Sequence, residues 1–289
     1  MNKLFGFFVS LALILLPLAS YGQPEAIKSA REAVIETLDK LAAVREQELN
    51  PRDKERREFE LKKLALNKIA DLSLLETEDL ETKLEALSEI PAEFLILKDS
   101  FLIALANFLE VLSGFKKQLL ISNDLATVQN LAGEFKNWRE AIYNPEVKKI
   151  AALMSVFQNK KLLKVADARF ELIAGEIRRL KPAPKSIPEN WLALLNQAAL
   201  KLKSARELNA EAINQLLNYL PVIEETPVDI AEDTPMREPK ELKPETEKPE
   251  PSAPEAEPTI GELTGQSIAQ IREAYQNFIR LNNFIKKSK

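Results

Sequence analysis

Nothing in this chain can be stapled. Its 289 residues contain no cysteine and no histidine. Disulfides, thiol nucleophiles, imidazole bases and Cys/His metal sites are therefore excluded, and stability must come from packing alone. Glycine is nearly as scarce: seven in all, five of them after residue 22. Leu, Glu, Ala and Lys dominate instead, all good helix formers. Clusters of β-branched residues bounded by turn signals are few. The composition predicts an all-α chain.

The first 22 residues have the order of a secretory signal peptide. Lys3 supplies a positive start, Leu4 to Leu16 an apolar core, Pro17 a break, and Ser20-Tyr21-Gly22 small residues at the −3 and −1 positions of a cut before Gln23. The apolar run Leu4 to Ala19 holds 16 residues, with a Pro and a Ser, whereas a membrane span needs about 20. No cysteine follows it for lipid attachment. The style is bacterial, so the expected destination is the periplasm or the medium.

Charge divides the rest of the chain. Residues 24–220 carry 30 Lys+Arg against 30 Asp+Glu; residues 221–258 carry 4 against 12; residues 259–289 carry 5 against 2. A neutral, charge-dense body argues against nucleic-acid binding, which needs a basic face. Residues 221–258 also hold nine prolines, no aromatic residue and no glycine. Such a segment cannot bury enough apolar surface to fold and favours extended polyproline II. The domain plan is thus a signal peptide over 1–22, a helical bundle over 23–220, a disordered acidic linker over 221–258 and an amphipathic helix over 259–289.

Within the bundle, apolar residues recur at spacings of 3 and 4. Ile27, Ala30, Val34, Leu38 and Leu41 mark a first helix. Asn50-Pro51-Arg52-Asp53 combines a cap, a proline at the first helical position and an acid at the positive end of the dipole. Phe59, Leu61, Leu64, Leu66, Ile69 and Leu72 follow. Ser73-x-x-Glu76 has the form of a capping box and predicts a new, short helix through Leu87. From Phe101 to Phe115, twelve of fifteen residues are apolar or Gly, which predicts a central helix covered on nearly all sides. Ser122-Asn123-Asp124 opens a helix with the seam Leu125, Val128, Leu131, Phe135, Trp138 and Ile142. Asn144-Pro145 predicts another boundary. The next seam runs Val147, Ile150, Met154, Phe157 and restarts as Leu162, Ala166, Phe170, Ile173, Ile177, Leu180, which predicts a kink or change of partner near Asn159. Pro182 and Pro184 end that helix. Trp191, Leu195, Ala198, Leu202, Ala205, Asn209, Ala212, Leu216 and Tyr219 then alternate by 4 and 3, a coiled-coil-like seam in which Asn209 fixes register.

Thr259-x-x-Glu262 is a second capping box. The helix it opens carries Ile268, Ile271, Tyr275, Phe278, Leu281 and Ile285 on one stripe, too apolar for a solvated tail. Docking back on the bundle, a protein partner or self-association, and a membrane surface are its three possible fates. Nine prolines stiffen the linker, so partner or self-association through these six residues is the leading expectation.

Chemistry is thinly represented. Glu76, Glu78, Asp79, Glu81 and Glu85 lack the Asp-x-Asp loop and mid-loop glycine of a calcium site and read as a solvated helix face. No Ser-x-x-Lys nucleophile with supporting motifs is present, and no carboxylate pair stands out for glycosidic chemistry. Trp138 and Trp191 read as core anchors. The expectation is a non-enzymatic scaffold, adaptor or binding protein of the bacterial cell envelope without cofactor or metal; the alternative is a membrane-active or lipid-associating helical protein.

Overall fold

The computed structural model describes residues 24–48, 50–180, 189–220 and 257–288. The expected signal peptide and nearly all of the proline-rich linker lie outside these residues. The fold is all-α, with no strand among the described residues. The helices are α1 (Glu25–Glu46), α2 (Pro51–Glu85), α3 (Ala92–Ile121), α4 (Leu125–Trp138), a π-helical turn (Arg139–Tyr143), α5 (Asn144–Leu180), α6 (Glu189–Leu217) and α7 (Ile260–Ser288).

Several ends form as local chemistry dictates. The Asn50 side chain accepts from the Asp53 amide at 2.9 Å, with Pro51 at the first helical position of α2. Asp124 caps α4 through the Thr127 amide at 2.8 Å. The carbonyl ends are capped from outside by lysines of neighbouring helices. Lys98 of α3 donates to Glu85 and Leu87 carbonyls at 3.0 and 3.1 Å, and Lys63 of α2 donates to Leu120 and Ser122 carbonyls at 2.9 and 2.7 Å. Each ammonium satisfies orphan acceptors at a negative helix end.

Two expected boundaries do not occur. α2 runs straight through Ser73, whose hydroxyl donates back to the Ile69 carbonyl at 2.9 Å instead of capping. Leu72, Leu74 and Leu75 carry the apolar stripe across this point, and neither Gly nor Pro breaks it. The chain also stays helical through Asn144-Pro145. There the π-turn intervenes, with the Asn144 amide reaching back to the Arg139 carbonyl. A widened turn just before a proline relieves the clash and the missing N–H that would otherwise stop the helix. The extra residue also shifts the helical phase. Tyr143 is buried, whereas Ile142, expected in the seam, is exposed.

The core has three clusters along one continuous body. The first packs α1, α2, the second half of α3, and α4, around Val34, Ile69, Leu112, Val128 and Phe135. The middle one joins the end of α2, the first half of α3, the π-turn, the start of α5, the end of α6 and the start of α7, around Leu84, Phe101, Leu105, Tyr143, Ile150 and Leu216. The third belongs to α5, α6 and α7. α5 spans the middle and third clusters. No kink occurs near Asn159: before it α5 packs on α2 and α3 as well as on α6 and α7, and after it on α6 and α7, within an uninterrupted helix. Asn159 is itself a buried seam residue, and the next buried position is Leu163, not Leu162, which is exposed. Its amide nitrogen donates to Asn209 Oδ1 of α6 at 2.9 Å. A buried amide pair of this kind penalises other registers, since sliding would strand both polar groups among apolar side chains.

α7 docks antiparallel on α6. The register is marked from end to end: Gln215 donates to the Pro258 carbonyl at 2.9 Å, Ser267 to the Ala205 carbonyl at 2.7 Å, Lys201 pairs with Glu273 at 2.7 Å, and Trp191 stacks on Phe284 with centroids 6.0 Å apart. Ala198, Ala205 and Ala212 are fully buried between the helices. Their small side chains let the Ser267 hydroxyl reach a backbone carbonyl of the facing helix. The expected capping box at Thr259 forms: the Thr259 amide donates to Glu262 at 2.7 Å, and the Glu262 amide to the Thr259 hydroxyl at 3.3 Å.

Candidate functional site

The apolar stripe of α7 is where the sequence placed a partner site. In this structure Ile271, Phe278, Leu281 and Ile285 are buried, and Ile268 and Tyr275 are partly covered. What covers them is the chain itself. Phe278 lies against Phe170 of α5, and Ile271, Tyr275, Leu281 and Ile285 join the cluster with Leu163, Ala166, Ala198 and Leu202. Of the three fates, docking back on the bundle is the one this structure shows. Loop closure weakens only slowly with length, while the seam of α6 and the stripe of α7 are complementary over their full lengths. A foreign partner of these six residues would first have to displace α7.

The densest chemistry lies in the first half of the body, at the π-turn. Arg139 is 4% exposed. Its guanidinium donates to Ser73 Oγ at 2.7 Å, approaches Glu76 at 4.0 Å, and lies over the Tyr143 ring at 4.9 Å. Arg31 of α1 donates to the other Glu76 oxygen at 3.3 Å. Thr77 spends its proton on the Ser73 carbonyl at 2.7 Å, so in its 3.1 Å contact with Tyr143 the phenol is the donor. Three segments, α1, α2 and the π-turn, are tied through one carboxylate.

Burial pushes the Glu76 carboxyl above its ordinary range, against the opposing pull of Arg139 and Arg31. Burial likewise lowers Arg139 and raises Tyr143. An arginine so placed stays charged and the phenol stays neutral at physiological pH. The Ser73 hydroxyl meets a carbonyl acceptor and a guanidinium donor, neither of which can take its proton. The arrangement fixes helices against one another; it does not assemble a nucleophile with a base.

Glu76 was expected on a solvated face, and Arg139 and Arg31 were not singled out. A signal existed in hindsight of spacing. Arg31 falls between Ile27 and Val34, and Arg139 between Phe135 and Tyr143, both at core spacing. A charge at a seam position asks for a buried counter-charge. For α4 that reading needed the phase shift of the π-turn, which the sequence does not announce.

No cluster of acids among the described residues could hold a metal ion. Gln197, Lys201, Arg272, Glu273 and Gln276 line a shallow polar groove of about 540 Å³ between α6 and α7. Trp138 and Trp191 both serve the core, Trp138 beside Phe108 and Phe135, Trp191 on Phe284.

The largest departure from expectation concerns α3. One face is buried at Phe94, Leu97, Phe101, Leu105, Phe108, Leu112, Phe115 and Leu119. The other is open. Ile96 is 58% exposed, Ile103 64% and Ile121 74%, with Leu95, Val111 and Leu120 also exposed. α3 lies at the edge of the bundle, so a helix apolar on all sides finds neighbours on only one. No helix among the described residues is long and apolar enough to cross a membrane.

Comparison with protein-family models, with curated proteins and with solved structures finds no match to this chain.

Proposed function

We propose that the protein is an exported, non-enzymatic helical scaffold or adaptor of the bacterial cell envelope, acting through its surfaces. One observation carries this reading: α3 leaves Leu95, Ile96, Ile103, Val111, Leu120 and Ile121 exposed along about 38 Å of its outer side, interspersed with polar residues such as Asn107 and Glu110. Open apolar faces of that extent on a folded body mark sites of association. The leader-like first 22 residues support export, and the locked, charge-paired interior supports a rigid carrier of that face.

The lipid-associating alternative uses the same face but is the weaker fit. An interfacial helix needs a basic polar rim. The exposed charges along α3 are Glu93, Asp99, Glu110 and Lys117, of which three are acidic.

The test is expression in a bacterial host with the N-terminus intact, followed by fractionation and gradient sedimentation. The exported protein should travel in an assembly larger than one chain, and Ile103→Glu should release it as a folded monomer. Retention in the cytoplasm, or sedimentation indifferent to Ile103→Glu, overturns the reading. Flotation with phosphatidylethanolamine/phosphatidylglycerol vesicles, lost in Ile103→Glu, would support the lipid alternative.

A further inference from the structure

We infer that the open face of α3 is self-complementary and packs antiparallel against α3 of a second copy; this rests on the scaffold reading and names the partner. At 100° per residue, Ile96, Ile103, Glu110, Gly114 and Ile121 fall within about 20° of one line along the helix. That line is nearly palindromic about a point between Phe108 and Leu109. Ile103 stands as far before the point as Gly114 stands after it, and the same holds for Ile96 and Ile121. A twofold axis there places each Ile103 against the second copy's Gly114, and each Ile96 against its Ile121. In an isologous contact, residue i meets j wherever j meets i, and this face satisfies that rule with a large residue opposite an absent side chain.

A Cβ added at Gly114 would meet nothing within 4 Å, as at Gly133, Gly175 and Gly265, and mid-helix glycine destabilises relative to alanine. At Gly114 the missing side chain leaves room for close approach by the second copy's Ile103. Charge agrees with the same register. Asp99 and Lys117 lie on one flank of the line, both exposed and neither in an ion pair among the described residues. The twofold keeps that flank on one side and brings Asp99 within about 1.5 Å of the height of the second copy's Lys117. Within one chain the two are a full 18 residues apart and cannot meet. Asn107 reaches the height of the opposite Glu110 and can donate to it. The two Glu110 carboxylates, nearest the axis, are the one unfavourable pairing. Ile142, exposed beside the groove lined by Ala104 and Asn107, widens the apolar surface.

The test is sedimentation equilibrium of the purified chain lacking residues 1–22, from about 5 to 200 μM, a range that brackets the affinity of a small interface. A dimer is expected. Asp99→Lys and Lys117→Asp should each weaken it about tenfold, and the double variant should restore it to within about threefold. Glu110→Gln should tighten it. Gly114→Gln should raise the melting temperature of the monomer while weakening the dimer, a pair of signs that misfolding cannot produce. Because the chain has no cysteine, Glu110→Cys should give a disulfide-linked dimer on oxidation, the two Cα atoms lying about 6–7 Å apart at ordinary helix spacing.

A monomer at 200 μM, or charge reversals that are additive and unrescued, overturns the inference. If the exported protein still travels in an Ile103-dependent assembly while the purified chain is monomeric, the scaffold reading stands and its partner is a different protein. Vesicle binding by a monomer, lost in Ile103→Glu, assigns the face to lipid and overturns the inference as well.

Discussion

Phe278→Ala tests whether α7 is structurally part of the body. Phe278 is 2% exposed and lies against Phe170 at 6.3 Å and Tyr275 at 5.3 Å between centroids. Burial of such a side chain stabilises by about 1.5–3 kcal/mol, and the cavity left by truncation brings the usual loss to about 3–5 kcal/mol. The ring pairs are part of that figure and are not added to it. Total stability is on the order of 5–15 kcal/mol. With a urea slope of about 3 kcal/mol/M for a chain of this size, the midpoint should fall by about 1–1.7 M. The assay has a built-in reporter. Trp191 stacks on Phe284 of α7, whereas Trp138 sits with Phe108 and Phe135 in the first half of the body. In a Trp138→Phe background the emission of Trp191 should move to lower urea by the full amount. A midpoint unchanged within about 0.2 M would refute the docking of α7, since a helix free of the body has no burial to lose.

Three further outcomes follow from the interior. Leu105 is fully buried, so Leu105→Asp should abolish cooperative unfolding, while Ile103→Glu two residues away should leave the circular dichroism melt unchanged at dilutions where the chain is monomeric; equal damage from both would mean that α3 has no open face. Asn209→Leu should cost about 1–3 kcal/mol by stranding Asn159, and adding Asn159→Leu should recover most of it in chemical denaturation; no recovery would remove the paired-amide account. The Glu76 carboxyl is held above its ordinary value of 4.5, so its contribution is fully present below that value and is lost as the pH rises through the folded pKa. Wild type should therefore gain stability relative to Glu76→Gln on acidification from neutral pH, and parallel pH profiles of the two urea midpoints would contradict the burial of Glu76.

Periodicity alone placed the helices and most of their buried faces. The seam from Trp191 to Leu216 was legible because each apolar or Ala position recurs at 3 or 4, and the caps at Asn50, Asp124 and Thr259 because their hydrogen bonds are local. Where a signal was local but a stronger one ran through it, the sequence misled. Ser73-x-x-Glu76 has the letters of a cap, yet the apolar stripe continues across it, and the hydroxyl turns back onto its own helix. Asn144-Pro145 has the letters of a boundary, yet a π-turn absorbs the proline and rotates Ile142 out and Tyr143 in. Asn159 looked like a break in its seam because its partner, Asn209, lies fifty residues away.

The chain by itself determined an all-α fold, its lack of covalent staples and the amphipathic character of its last helix, because those follow from residue type and short-range spacing. Only the tertiary structure decided which apolar faces meet. The stripe of α7 and the outer face of α3 are both apolar stripes in sequence. One is covered, because α6 offers a small-residue seam of matching length and register. The other is open, because α3 lies at the edge of the bundle with neighbours on one side only. Burial of a stripe depends on what the rest of the chain brings opposite it, and that is not a local property.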